Sequence, residues 1–251
     1  MNDFKNQCVV VTGSATGIGE ACAIQLAQKG AKVIVMDFNK DGAEVVVAKI
    51  KSFGGNAHIA ITDLNSWEST KSSIDKVANA PEGLHALIHS AGGFPNYVNL
   101  LDCPIDAWDP VINSNLRSMF YLLKACSPHM IKNQYGRFVA VSSMAARSGT
   151  NPNPPHYTAA KGGILALTRQ AAKDLGGYGI TVNAVAPANV MTPRTNAIRS
   201  PERLAHIQKT TPLGRLADAE EVANAIVFLA SSQASYITGI TMDVNGGATM
   251  I

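Results

Sequence analysis

Tyr157 and Lys161 stand four residues apart at the start of an alanine- and glycine-rich segment whose spacing predicts a helix. That interval puts a phenol and an ammonium on one helical face, one turn apart. The ammonium favours the ionised phenol, and a phenol that changes protonation readily serves as general acid and base. Bringing a tyrosine hydroxyl from its usual value of about 10 to near neutrality takes about 4 kcal/mol. One lysine does not supply all of that, so a second positive group, such as an oxidised nicotinamide ring, has to contribute. Upstream, Ser142-Ser143 close a predicted strand. A serine hydroxyl there can hold a substrate oxygen while the tyrosine gives or takes its proton, and Ser143 is the expected one of the two. Asn115 lies within a long predicted helix, where an asparagine usually has a local reason such as a kink or a bound water. A Tyr-x-x-x-Lys pair alone is a common accident, and the surrounding elements decide what it means.

Those elements alternate. Apolar, β-branched runs at 8–11, 32–36, 57–61, 86–89, 138–142, 181–186 and 241–244 are separated by helical patterns, among them 18–28, 43–53, 67–77, 111–130 and 159–175. Runs that are apolar throughout predict a parallel sheet covered on both faces. The alternation predicts βαβ units and an α/β fold: one Rossmann-type, doubly wound sheet of about seven strands, with 1–251 as a single dinucleotide-binding and catalytic domain. Three longer segments, 92–106, 145–156 and 188–211, leave the carboxyl ends of strands, the edge where such sheets bind ligands. The last carries Pro193 and Pro201 around a short helical patch and is expected to act as a substrate lid.

The first strand runs into Thr12-Gly13-Ser14-Ala15-Thr16-Gly17-Ile18-Gly19 and then directly into a helix. Glycines there let the backbone turn tightly and approach a pyrophosphate, and the helix start offers free N–H groups. The second strand ends at Asp37, whose carboxylate suits the two ribose hydroxyls of adenosine and repels a 2′-phosphate. Phe38, not an arginine, follows it, and Thr16, not a basic residue, precedes Gly17, so NAD is expected over NADP. Asp37 as a turn cap is the plainer alternative. Asp63, after the third strand, reads either as a turn residue or as an adenine contact.

The chain has 251 residues, 46% hydrophobic and 16% charged, with a net charge of +3 and a mean hydropathy of +0.06. Such a balance excludes a disordered chain and offers no basic surface for nucleic acid or membrane. Cys8, Cys22, Cys103 and Cys126 lack metal-ligand spacing, so no metal is expected. The run from Met1 into the first strand leaves no room for a signal peptide, and a cytoplasmic location is expected.

Together these residues resemble the classical short-chain dehydrogenase/reductase family from the first strand to the C-terminus. The resemblance is carried by Thr12-Gly13…Gly17-Ile18-Gly19, Asp63, Ala91-Gly92, Asn115-Leu116, Ser143, Tyr157…Lys161, Asn183, Pro187…Val190…Thr192 and Asn245-Gly246-Gly247. It implies a catalytic tetrad of Asn115, Ser143, Tyr157 and Lys161, the lysine also holding the nicotinamide ribose and the asparagine anchoring a proton-relaying water. It implies cofactor contacts at the glycine turn (Gly13, Ala15, Thr16, Gly17, Ile18, Gly19) and at Asp37 with Phe38. Further contacts are implied at Asp63 with Leu64, at Ser90-Ala91-Gly92, and at Pro187, Val190 and Thr192. It implies a homotetramer.

Three departures stand out. His89-Ser90 replaces the usual Asn-Asn before Ala91-Gly92, Ala188 follows Pro187 in place of glycine, and the loop through 150–155 carries one extra residue. Substrate-wall candidates are Phe94, Asn96 and Tyr97, then Met144, Arg147, Asn151 and His156, then Asn189 and Arg194. This mixture suits a small or medium polar alcohol or ketone, interconverted with NAD. The ketoacyl-carrier-protein reductases, which share Pro212-Leu213-Gly214-Arg215, are the alternative. Their two carrier-gripping arginines correspond to Gln134 and Tyr178 here. A non-catalytic NAD-binding sensor or scaffold is a further alternative, against which the complete tetrad argues.

Overall fold

The structure, a computed structural model, describes residues 3–149, 153–197 and 200–250. In chain order the first half runs β1 (Cys8–Thr12), α1 (Gly17–Gln28), β2 (Lys32–Asp37), α2 (Lys40–Ser52), β3 (Asn56–Ile61), α3 (Trp67–Ala78) and β4 (Ala86–His89). After a loop come α4 (Trp108–Ile112), a π-turn (Asn113–Arg117), α5 (Ser118–Asn133), β5 (Gly136–Val141) and α6 (Pro155–Leu175). The remainder is β6 (Ile180–Pro187), β7 (Val190–Met191), α7 (Pro193–Ala197), α8 (Pro201–Thr210), β8 (Ala217–Asp218), α9 (Ala219–Ala230) and β9 (Thr241–Val244).

Among the described residues, seven strands form one parallel sheet in the order β3-β2-β1-β4-β5-β6-β9. The chain works outward from β1 to β3 and then returns to β4 on the other side of β1. The switch point therefore lies between β1 and β4, and a crevice opens above their carboxyl ends. Alternation along β1 feeds two cores. Val9 and Val11 face α1, α2 and α9, whereas Cys8 and Val10 face α3, α5 and α6. Each fully buried valine of β1 stabilises the fold by roughly 2 kcal/mol. Cys22 and Cys126 are core residues of the same kind, their thiols pushed up by burial. Among the described residues no helix is long and apolar enough to cross a membrane.

Four details differ from the sequence reading. β3 lies at the sheet edge, so Ile59 and Ile61 are exposed rather than covered on both faces. The single helix expected over 111–130 is broken by the π-turn. Pro193 and Pro201 do not flank one helical patch. Each opens its own helix, at the position where a missing N–H costs nothing. Finally, α9 is not among the helical patterns given above, yet its buried residues (Val222, Ala223, Ile226, Val227, Leu229 and Ala230) share one face in an ordinary amphipathic pattern.

Candidate active site

A cleft of about 810 Å³ opens along the carboxyl edge of the sheet. Its first wall is the turn between β1 and α1, with Gly13, Ala15, Thr16, Gly17 and Ile18 lining it. Gly13 has φ +61, and a Cβ there would stand 2.6 Å from the Cα of Ala91. The ends of β1 and β4 thus approach closer than any side chain allows. Gly19 is buried beneath the turn and lines nothing. Helices α2, α3 and α8 begin with a side-chain bond from Asn39, Ser66 and Ser200, but the cap residue of α1, Thr16, makes none. The first N–H groups of α1 are left to an outside acceptor, which suits a pyrophosphate.

Asp37 lies at the end of β2, 8% exposed and lining the cleft. Its Oδ2 accepts from Ala15 N–H at 2.9 Å and its Oδ1 from Asn39 N–H at 3.0 Å. Turn capping and cleft lining therefore coexist. A carboxylate has about four acceptor positions, so about two remain for ribose hydroxyls. Phe38, next to it, also lines the cleft and is 81% exposed. Asp63 and Leu64 line the same end, and Asp63 closes its own turn by accepting from Asn65 N–H at 2.9 Å. Ser90, Ala91 and Gly92 form the floor, and Pro187, Val190 and Thr192 the far side.

Ser143, Tyr157 and Lys161 all line the second wall. Ser142 is buried and donates to the Lys161 carbonyl at 2.9 Å, tying β5 to α6. Ser143 accepts from Ala145 N–H at 3.1 Å and keeps its own proton to give. Lys161 Nζ donates to the Val141 carbonyl at 2.8 Å and stands 5.5 Å from the Tyr157 ring centroid. An ammonium has three N–H bonds, and one of them ties this lysine to the strand. The Tyr157 ring meets Phe94 edge-on at 4.6 Å, Phe94 meets Tyr97 at 5.0 Å, and the Arg203 guanidinium lies 4.0 Å over Tyr97. A row of three rings and a cation thus links α8 to the phenol.

Asn115 does not line the cleft. It is wholly buried in the π-turn, with Nδ2 donating to the Gly93 and Val111 carbonyls at 2.8 Å each and Oδ1 accepting from Gly93 N–H at 2.8 Å. Its side chain clamps the loop after β4, and the backbone carbonyl is the group left for another role. The turn also brings Val111 and Ser114 to the cleft.

The substrate candidates divide. Phe94 lines the cleft, while Tyr97 and Arg147 line a neighbouring hollow of about 910 Å³. Arg147 is committed to a two-pronged ion pair with Asp243 of β9, at 3.1 and 2.9 Å. Asn96 is exposed. Met144 and His156 are 6% and 1% exposed and line neither space. The reason for His156 is helical phase. Pro155 opens α6, so His156 shares an inward face with Ala160, and Tyr157 with Lys161 falls on the next. Burial holds the His156 imidazole below its ordinary pKa. Asn189 lines a separate recess of about 90 Å³, its carbonyl accepting from Ala217 N–H at 3.0 Å. Asn151 and the side chain of Arg194 lie outside the described residues.

One residue escaped the sequence reading. Thr195 donates to the Val190 carbonyl at 2.7 Å and exchanges bonds with Thr192, shaping the segment over the cleft. The signal was a threonine before Pro193 with a hydroxyl three residues on, a helix-start pattern. His89, noted above only as a departure, is wholly buried beside the π-turn.

A family model described as enoyl-(acyl carrier protein) reductase matches residues 13–249. The chain is 36% identical over 249 residues to the 3-oxoacyl-[acyl-carrier-protein] reductase FabG of Escherichia coli (strain K12), covering 99% of this chain and 100% of that one. It is 35% identical over 244 residues to the FabG of Thermotoga maritima, covering 97% and 98%. Among solved structures, a 3-oxoacyl-[acyl-carrier protein] reductase with bound NAD from Brucella melitensis superposes with a TM-score of 0.92 at 30% identity, over 100% of this chain and 94% of that one.

Proposed function

Because this chain belongs to the short-chain dehydrogenase/reductase family, we propose that it interconverts a 3-oxoacyl thioester and its 3-hydroxy form, with NAD(H) as redox partner. The observation that carries this reading is the full-length similarity to 3-oxoacyl-[acyl-carrier-protein] reductases, joined to one cleft that unites the glycine turn with Ser143, Tyr157 and Lys161. When bound, the nicotinamide ring supplies or accepts the hydride.

The chain's own residues do the rest. The first turn of α1 holds the pyrophosphate, and Asp37 accepts from the adenosine ribose hydroxyls. Thr192 and Val190 border the nicotinamide. Ser143 donates to the substrate oxygen, Tyr157 transfers its proton to or from that oxygen, and Lys161 favours the charged phenol and holds the nicotinamide ribose. Asn115 contributes its carbonyl to the proton path. Residues 188–211 close over the substrate, and Met144, His156 and Asn189 act from behind the wall rather than as contacts. We propose further that the chain works as a cytoplasmic homotetramer, consistent with exposed apolar groups on α4–α5 (Trp108, Phe120) and near β9 (Tyr236, Ile240). Light scattering gives the subunit number.

The test is a purified enzyme offered acetoacetyl thioesters of coenzyme A and of acyl carrier protein, with NADH or NADPH, read as loss of reduced-cofactor absorbance. Turnover with NADH supports the reading. A second reading, oxidation of a small polar secondary alcohol with NAD, is favoured by the Asp37 carboxylate in the cleft, which would repel a 2′-phosphate, and by Gln134 and Tyr178 in place of the carrier-gripping arginines. Turnover of secondary alcohols but not of either thioester would select it. Cofactor binding without any turnover would leave only a sensor.

A further inference from the structure

His89 closes β4, paired in register with Thr12 of β1, and both side chains are wholly buried. Its Nδ1 lies 3.1 Å from Thr12 Oγ1 and its Nε2 lies 3.2 Å from the Asn115 carbonyl oxygen. A carbonyl oxygen only accepts, so the ring proton must sit on Nε2. Nδ1 is then bare, and the Thr12 hydroxyl donates to it. Thr12 Oγ1 in turn accepts from Ala91 N–H at 3.3 Å. Burial, with the charge of Lys161, pushes the imidazole pKa down to about 4, so the ring is neutral at ordinary pH and one tautomer accounts for every bond. Ser118 Oγ lies 3.3 Å from both Nε2 and the Asn115 carbonyl oxygen, but its nearest acceptor is the Ser114 carbonyl at 2.9 Å, which takes its proton and leaves the Asn115 carbonyl to the ring.

The result is a polarised chain from the Ala91 amide, through Thr12 and His89, to the Asn115 carbonyl. It joins the cofactor floor to the π-turn.

We propose that His89 is a positioning residue: its Nε2–H holds one lone pair of the Asn115 carbonyl and so fixes where the other lone pair stands on the proton path to Lys161 and Tyr157. The inference rests on the oxidoreductase reading above. The two ring nitrogens of His89 reach both partners at once.

Three variants test it. His89→Leu keeps the bulk and removes both bonds. His89→Gln returns a donor near the Nε2 position, and Thr12→Val removes only the far donor. His89→Leu is expected to lower kcat about tenfold, to raise the solvent deuterium isotope effect on kcat, and to leave the NADH dissociation constant within about twofold. His89→Gln should recover most of the kcat, and Thr12→Val should show the same pattern at a smaller size. If His89→Leu does not fold, His89→Gln and Thr12→Val carry the test through the isotope effect. Leu and Gln variants with the same kcat, or a loss confined to cofactor affinity, would overturn the inference while leaving the proposed reaction intact. A wild-type enzyme that turns over nothing would overturn both.

Discussion

The two walls of the cleft are made of different material. The first wall is mostly backbone: a glycine turn, an uncapped helix start and a strand end, with the carboxylates of Asp37 and Asp63 both accepting from backbone N–H groups. The second wall is mostly side chain: Tyr157 edge-on against Phe94, which meets Tyr97 in turn, and Lys161 pinned to Val141. Backbone geometry is dictated locally, so the first wall is fixed by a few residue types at fixed spacing. Side-chain geometry depends on which partners arrive from distant segments, so the second wall varies with loop sequence. The contrast teaches where binding and chemistry can be separated: changes to one wall should leave the other nearly untouched.

Tyr157→Phe is the most severe test of that separation. Turnover should fall at least about a hundredfold, the scale of a lost general acid/base, while NADH fluorescence titration gives an unchanged dissociation constant. A parallel loss of cofactor affinity would break the comparison.

Acid should act next, at the seam between the walls. His89 has a folded pKa of about 4 against an ordinary 6.5. The unfolded chain therefore binds a proton first, and stability falls as pH drops from about 6.5 towards 4, by about 3 kcal/mol. His85 and His156, also lowered by burial, push the same way. Urea denaturation at pH 7 and pH 4.5 measures the drop, and His89→Gln should flatten it; an unchanged slope would place the proton elsewhere.

Asp37→Ala should bring the NAD to NADP ratio of kcat/KM down by about tenfold, the loss of charge-assisted bonds plus relief of repulsion, with kcat on NAD little altered. Arg203→Ala should have the smallest effect. An exposed cation–π contact is worth about 0.5–1 kcal/mol, so KM for substrate should rise only a few-fold with cofactor affinity constant. A fall in kcat of more than about tenfold would mean that the ring row holds the phenol itself.

The same contrast explains what could be read without coordinates. The sheet and the turn between β1 and α1 were legible, because Gly13, Gly17 and Asp37 announce themselves through local sequence. Ser143 over Ser142 was legible only as a preference; the structure separates them because one hydroxyl bonds to the Lys161 carbonyl and the other does not. Met144 and His156 were expected at the pocket wall and are buried, Met144 in the short turn directly after β5 and His156 through the helical phase set by Pro155. Arg147 gave no hint of Asp243, nearly a hundred residues away in sequence. His89 was visible as a departure, but its consequence needed Thr12 and Asn115 to be brought together in space.

The π-turn at Asn113–Arg117 has a consequence for any attempt to shorten this chain. A π-turn is an α-helix carrying one surplus residue. Removing that residue between Val111 and Ser118 would let the hydrogen bonds heal into a regular helix. Because the widened turn already absorbs the surplus, Met119, Leu122 and Cys126 would stay close to their present face of α5. What would go is the bulge itself, and with it the seat from which Asn115 holds the loop after β4. Helicity and core would survive such a deletion, and the tether would be lost.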